Sequence, residues 1–275
     1  QEWRGPLRDA FNHLKKLADE VFVREFAKIS NINPWEARNN YVQTLVVPED
    51  KSQLTTFLAS TVKEPSNEAM CARAIRLLEI QKFCMFSFTS CGWFFNDIEG
   101  LEPVQNMRYA LRAMELLDPF LPRGHHIRNQ VLSILGRATS NEHKWNGAEV
   151  FTRYAEEQVP VVVKQMAERA AIFHMGLEDG YENKDERMVA TKIASRRRQT
   201  LVRAEYNDKQ IGENRIATAL VITDPMGRIN IVVADGENDQ NGLKFVDNPA
   251  MTTEELLSEY PTAYVVRMKD LMSDS

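Results

Sequence analysis

The sequence predicts a mainly α-helical protein with a small antiparallel β region near its C-terminal end. Apolar residues recur at spacings of three and four through about the first 180 residues, which is the period of an α-helix. Short β-branched runs separated by turn residues follow beyond about residue 200. We therefore expect a helical domain over residues 1–180. A charged helix and a small β-sheet or sandwich packed on that domain are expected over residues 181–275.

Four helical segments are predicted in order along the first domain. Pro6 can open a helix without losing a hydrogen bond. The apolar stripe of this helix consists of Leu7, Phe11, Leu14, Ala18 and Val21. Ser66 is predicted to cap a second helix, and Pro103 to open a third. A fourth begins after Gly147 and is expected to bend or restart at Pro160.

The second domain is predicted to begin with a helix and continue as strands. The segment Asp185–Arg198 is highly charged, which is typical of a surface helix. Asp224-Pro225-Met226-Gly227 has proline and glycine in the positions that a hairpin turn favours. Residues 235–242 are rich in Asp, Asn and Gly and are expected to form a loop. Strands are expected at 201–202, 216–223, 228–234 and 263–267.

Composition excludes several classes of partner. The formal net charge of -5 gives no basic face for a nucleic acid or an anionic membrane. The longest apolar run, Phe83–Phe95, is shorter than the roughly 20 residues that a membrane span needs. The three cysteines, Cys71, Cys84 and Cys91, lie in apolar sequence and are an odd number, which favours a reducing compartment. We therefore expect a soluble, cytoplasmic protein.

The segment Thr89–Gly100 is unusual on physical grounds. Its three consecutive aromatics, Trp93–Phe95, cannot all face one core from a single helix or strand, so at least one ring should lie on another surface. Asp97 and Glu99 follow within a few positions. Saccharide sites combine a flat aromatic ring with carboxylates and amides that fix the hydroxyl groups. The same pattern is also typical of a buried core, and composition alone favours the core.

Three stretches carry a resemblance to a known family. These are FTSCGWFFNDIEGLEPVQNMRYALRAMEL at 88–116, EWRGPLRDAFNHL with PWEARNNYV near the N-terminus, and NGAEVFTRYAEEQVPVVV from residue 146. They resemble an uncharacterised C-terminal helical domain that follows the catalytic barrel in proteins of glycoside hydrolase family 57. The resemblance covers about residues 1–180, and the Trp93 segment is its most specific part. The last quarter of the chain departs from the family's pattern.

The resemblance implies a role in carbohydrate metabolism. Family-57 enzymes act on α-glucans and related saccharides through a barrel that supplies a nucleophile and an acid/base. Their C-terminal helical domain packs on the barrel and contributes aromatics to the substrate cleft. This chain would then be an accessory part of a hydrolase or glucanotransferase, not catalytic alone, with the N-terminal barrel and a saccharide as its partners.

The resemblance also implies the site residues. Trp93 is the foremost carbohydrate-binding candidate, followed by Phe94, Asp97 and Glu99. Candidates for the interface with the barrel are Trp3, Arg4 and Trp35, and an exposed apolar patch is expected near Trp3 and Trp35. The alternative from another functional class is a structural or interaction domain with no ligand, in which Trp93 fills the helical core.

Other candidate sites fit the sequence poorly. Asp97 and Glu99 are two residues apart on one segment, so they can rarely straddle a glycosidic bond as a catalytic pair. His125-His126 lack the spacing and partners of a metal site. The run Asp235, Asn238, Asp239 and Asn241 lacks the closing glutamate of a calcium loop. We expect no metal and no cofactor.

Overall fold

The computed structural model is mainly α-helical with an antiparallel sheet towards its C-terminal end, as the sequence predicts. The chain divides into two compact units, residues 1–157 and 158–275. The structure describes residues 2–46, 51–156, 161–177, 181–182, 186–196, 198–209, 211–224, 226–236, 263–267 and 271. Within these ranges, no helix is both long enough and apolar enough to span a bilayer.

The first unit is built from eight helices among the described residues. They are α1 (Arg4–Ile29), α2 (Pro34–Val46), α3 (Lys51–Thr61), α4 (Glu68–Phe86), α5 (Cys91–Phe94), α6 (Leu101–Leu117), α7 (Ile127–Leu135) and α8 (Gly147–Val150). A 3-10 turn, Asp118–Phe120, follows α6, and a π-helical turn, Phe151–Ala155, follows α8. α1 packs against α4 and α7, and α4 against α6, so α1 and α4 form the centre of this unit.

The apolar stripe predicted for α1 is confirmed. Leu7, Phe11, Leu14, Ala18 and Val21 are all buried. Pro6 and Pro103 lie in the first turns of α1 and α6, where a proline removes no helical hydrogen bond. The predicted cap of α4 is wrong by one residue, because Asn67 rather than Ser66 accepts the Met70 N–H at 3.1 Å.

In the described residues of the second unit, a helix packs on an antiparallel sheet. The helix α9 (Val161–His174) precedes the strands β1 (Tyr181–Glu182), β2 (Glu186–Arg196), β3 (Gln199–Asp208), β4 (Glu213–Thr223), β5 (Ile229–Asp235) and β6 (Tyr264–Arg267). These strands pair in sequence order as a meander. Val163, Met166 and Ala170 of α9 pack on a sheet face whose buried residues include Val202, Ala204, Ala217, Ala219, Val221, Ile231 and Val233.

Two predictions about this part of the chain are corrected. The segment predicted as a charged helix, Asp185–Arg198, contains strand β2, whose buried Met188 and Ala190 alternate with more exposed residues. The boundary predicted at residue 180 lies instead at 157, so that α9 belongs to the same compact unit as the sheet on which it packs. The turn predicted at Asp224 is confirmed, because the Gly227 N–H donates to the Asp224 carbonyl at 3.0 Å.

His174 fixes the end of α9 to the sheet. Its Nδ1 lies 2.7 Å from Thr200 Oγ1 on β3, and its Nε2 lies 2.8 Å from Thr223 Oγ1 on β4. Burial lowers the pKa of this imidazole below its ordinary value. Asp235, the first residue of the predicted loop and of the rejected calcium run, is the last residue of β5. Residues 237–242 lie outside the described residues.

Candidate functional site

The Thr89–Gly100 segment crosses from α4 to α6 and is fixed by the start of α1. The Trp3 indole N–H donates to the Asn96 carbonyl at 3.2 Å. The Arg4 guanidinium donates to the carbonyls of Phe94 at 3.2 Å and Phe95 at 3.0 Å. Two side chains therefore satisfy three consecutive backbone carbonyls, and the segment is held in one conformation although it is mostly irregular.

Gly92 places the single turn of α5 against α6. An added Cβ at Gly92 would overlap the carboxamide of Asn106, which is buried. Two hydrogen bonds hold that carboxamide in place. Its Nδ2 donates to the Thr89 carbonyl at 3.0 Å, and its Oδ1 accepts from Thr89 Oγ1 at 2.6 Å. The glycine of the GWFF run is thus required by close packing.

Trp93 is half-buried and belongs to an aromatic cluster. Its ring centroid lies 6.1 Å from that of Phe11 in an edge arrangement and 6.5 Å from that of Phe88 in a stacked one. The Arg8 guanidinium lies 5.6 Å from the centroids of both Phe88 and Trp93. The buried Trp93 Nε1 has no hydrogen-bond partner among the described residues. The ring is therefore partly committed to the core of this unit.

Phe94 and Phe95 point outward and form what we call the aromatic ridge. Phe94 is 80% exposed and Phe95 is 44% exposed, and their ring centroids lie 5.6 Å apart. Leu101, at the start of α6, is also largely exposed. Among the four residues predicted to bind carbohydrate, Phe94 offers the largest free surface.

Asp97 connects this segment to the loop of residues 139–146. Its Oδ2 accepts the Glu142 N–H at 2.8 Å, and its Oδ1 accepts the Glu99 N–H at 3.3 Å. The carboxylate is almost fully buried. Asp97 therefore positions backbone rather than offering a free oxygen to a ligand.

Glu99 connects the same two segments through side chains. Its carboxylate accepts from the Ser140 hydroxyl and lies 2.6 Å from His143 Nδ1. Only 7% of the Glu99 side chain is exposed, whereas 53% of His143 is exposed. Both predicted acids are thus engaged in hydrogen bonds within the chain.

Sequence reasoning missed the residues around His143. The His143 ring stacks on Trp145 at 4.5 Å, and Trp145 lies 5.9 Å from Tyr154. The Arg153 guanidinium lies 4.4 Å from the Trp145 centroid. The available signal was a tryptophan within the otherwise polar run NEHKWNG, residues 141–147.

One group of side chains in the described ranges could hold a metal ion. Glu99, Glu142 and His143 offer ligand atoms that lie within 4.8 Å of one another. Within this group, His143 Nδ1 and Glu99 Oε2 already form a hydrogen bond at 2.6 Å. His125 and His126 line a shallow groove with His13 but form no such group within the described part of the chain.

The predicted interface residues have different environments. Trp3 is 0% exposed, so its ring has no area to offer a second domain, and this part of the prediction is wrong. The Arg4 guanidinium donates to the backbone carbonyls of the two ridge residues. Trp35 is partly exposed and lies between Phe22, at 5.5 Å, and the Arg38 guanidinium, at 4.8 Å. Interface roles for Arg4 and Trp35 stay predictions.

Comparison with known proteins identifies one family. No match was found among curated proteins or among solved structures. A family model described as Domain of unknown function (DUF3536) matches residues 1–239, which is most of the chain and includes every predicted site residue. The chain therefore belongs to the DUF3536 family.

Proposed function

We propose that this chain is an accessory domain of a cytoplasmic, family-57-like glycoside hydrolase or glucanotransferase. It contributes aromatic side chains to a cleft that binds an α-glucan-type saccharide, and the catalytic carboxylates come from a barrel that precedes it. The observation that carries the proposal is the 80% exposure of Phe94 on a segment whose carbonyls are fixed by Trp3 and Arg4. The resemblance of the first 180 residues supplies the ligand class.

A fixed, exposed phenyl ring suits a saccharide. Leaving an apolar ring in water is unfavourable, so a large one on an ordered surface commonly marks a binding area. The apolar C–H face of a sugar ring covers such an aromatic face, while polar neighbours take the hydroxyl groups. Because the segment is already ordered, little conformational entropy is lost when the ligand binds.

The proposed partner is the barrel of the same protein. Apolar side chains are exposed on α2, where Val42 and Val46 follow Trp35 on the same helix. Arg4 lies directly beside the aromatic ridge. Trp35 contacts Phe22, about 27 Å along α1 from Arg4, so an interface that includes both residues would extend along this helix with the ridge at one end. The three free cysteines support the cytoplasmic part of the proposal.

The test is maltoheptaose binding by the chain joined to its barrel, comparing Phe94→Ala with wild type. Loss of ring stacking should weaken the affinity by about 1–3 kcal/mol, which is roughly fivefold to 150-fold. Phe86→Ala is the matched control, since Phe86 is a partly exposed phenylalanine that contacts only Phe83 and Tyr109 among the aromatic pairs of the described residues. Equal affinities of wild type and Phe94→Ala would remove the saccharide role of the ridge.

The alternative is a structural or interaction domain in which the ridge contacts another protein and no saccharide. Packing of Trp93 against Phe11, Phe88 and Arg8 favours this second candidate, because it gives the most distinctive residue of the segment a stabilising role. Retained glucan affinity in Phe94→Ala, together with loss of a protein complex, would favour the alternative.

A further inference from the structure

We propose that His143 is a second ligand-contacting residue of this site, whose Nε2 accepts a hydrogen bond from a sugar hydroxyl. The inference rests on the proposed function, and it extends the site from the aromatic ridge to the loop of residues 139–146. Neither the sequence pattern nor the family assignment points to this residue.

The His143 ring is held by two contacts although it is exposed. Glu99 Oε2 holds Nδ1 at 2.6 Å, and Trp145 stacks on the ring at 4.5 Å with an interplanar angle of 16°. The Glu99 carboxylate is itself fixed by the Ser140 hydroxyl and by its burial. Exposed side chains ordinarily keep their rotamer freedom. This imidazole is oriented by one contact at its edge and another at its face.

The two ring nitrogens of His143 have different surroundings. Glu99 offers acceptor oxygens to Nδ1, so the proton of a neutral imidazole lies on Nδ1 and Nε2 carries the lone pair. Nε2 has no protein partner among the described residues, whereas Nδ1 has one. Carboxylate–histidine pairs of this kind fix the tautomer and orientation of histidines that act through their other nitrogen.

The backbone that supports the His143 ring is unusual. Lys144, between His143 and Trp145, has φ +61°, and it is the one non-glycine residue with positive φ in the described ranges. The π-helical turn Phe151–Ala155 provides Arg153 and Tyr154, which both contact Trp145. Left-handed residues and π-helical turns are uncommon and concentrate at functional sites. Here both flank the same tryptophan.

Hydrogen bonds join this loop to the ridge segment. The Asn141 side chain donates to the Asn96 carbonyl, which also accepts from Trp3. Asp97 accepts the Glu142 N–H at 2.8 Å, and Glu99 holds His143. The two segments are therefore one connected structure. A ligand long enough to span several sugar units could contact the ridge and His143 together.

The experiment measures maltoheptaose affinity of the barrel-containing protein for His143→Ala and the control His126→Ala. His126 is also exposed, and its side chain does not cap α7, the helix that it precedes. We expect about a fivefold to tenfold weaker affinity for His143→Ala, and a change below about twofold for His126→Ala. His143→Gln, which keeps a polar group near the Nε2 position, should recover part of the loss.

A spectroscopic readout separates contact from a structural role. In protein labelled with ¹⁵N-histidine, the Nε2 resonance of His143 should move when maltoheptaose is added, and Glu99→Gln should alter the tautomer signal before any ligand is present. If Phe94→Ala weakens binding while His143→Ala and the Nε2 resonance show no effect, the inference is overturned and the proposed function stands. If maltoheptaose does not bind the wild-type protein, the proposed function and the inference fail together.

Discussion

The three consecutive aromatics show how one residue, Gly92, divides the roles of its neighbours. Close packing of Gly92 on Asn106 sets the orientation of α5. Trp93 then packs towards Phe11 and Phe88, while Phe94 points outward. The sequence predicted that at least one ring would lie on another surface, and this is confirmed. The resemblance ranks Trp93 first, whereas the most exposed ring is that of Phe94. The sequence does not show this, because the orientation depends on a contact with a residue of another helix.

Truncation of Trp93 should show how far the ring serves the core. We expect Trp93→Ala to lower the free energy of unfolding by about 2–4 kcal/mol, somewhat less than for a fully buried tryptophan, because the ring is only half-buried. Phe94→Ala, at an exposed ring, should change it by less than about 0.5 kcal/mol. Chemical denaturation of both variants measures this. A larger loss for Phe94→Ala than for Trp93→Ala would contradict the described orientation of the segment.

At the scale of elements, periodicity predicted α1, α4, α6 and the stretch of α8 and α9. It did not predict α2, α3 or α7, and it predicted the first long strand as a helix. α1 could be predicted because its apolar stripe is long and most of its exposed residues are polar or charged. β2 has few buried side chains, Met188 and Ala190, and charged residues flank them. The alternation of buried and exposed residues is therefore difficult to recognise in the sequence. Its strand conformation comes from pairing with β3 along almost its entire length, a long-range contact that charge composition does not report.

A charge cluster joins α1 to α4 and predicts a pH dependence. The pKa of the buried Glu25 carboxyl is lowered to about 2 by hydrogen bonds from Arg24, Lys28 and Arg73, the last of which lies on α4. A folded-state pKa below the ordinary glutamate value of 4.5 means that the stabilisation is present above about pH 4.5. It should be lost as the pH falls from about 4.5 towards 2.

The variant Glu25→Gln tests this cluster through urea unfolding between about pH 2 and pH 6. The wild type should lose stability steeply at the acid end of this range, and Glu25→Gln should show a lower stability near pH 6 and a shallower slope below it. Glu20→Gln, at an exposed glutamate of the same helix, is the control and should follow the wild type. Parallel curves for wild type and Glu25→Gln would show that the cluster does not contribute.

At the scale of the whole molecule, the site depends on segments that are distant in sequence. Asp97 and Glu99 contact residues more than 40 positions away, in the loop of residues 139–146. A sequence pattern can single out the ridge segment but not its neighbours in space, so Trp93, Phe94, Asp97 and Glu99 could be named while His143 and Trp145 were missed. The position of α9 in the second unit was missed for the same reason, since only its packing on the sheet assigns it.

The central claim also concerns the whole molecule. It is the proposal that a barrel supplies the catalytic carboxylates and that this chain supplies aromatic side chains. Both acids of the ridge segment are engaged in hydrogen bonds that position other groups, and the segment offers an aromatic surface instead. In the proposed accessory role, this segment supplies the aromatic surface and the barrel supplies the catalytic carboxylates.

The most direct measurement is the turnover of maltoheptaose by the 275-residue chain alone and by the same chain joined to its barrel. The account predicts no products from the chain alone, and hydrolysis or glucan transfer by the joined protein that falls in Phe94→Ala. Products formed by the chain alone would contradict the division of chemistry, and so would turnover by the joined protein that Phe94→Ala leaves unchanged.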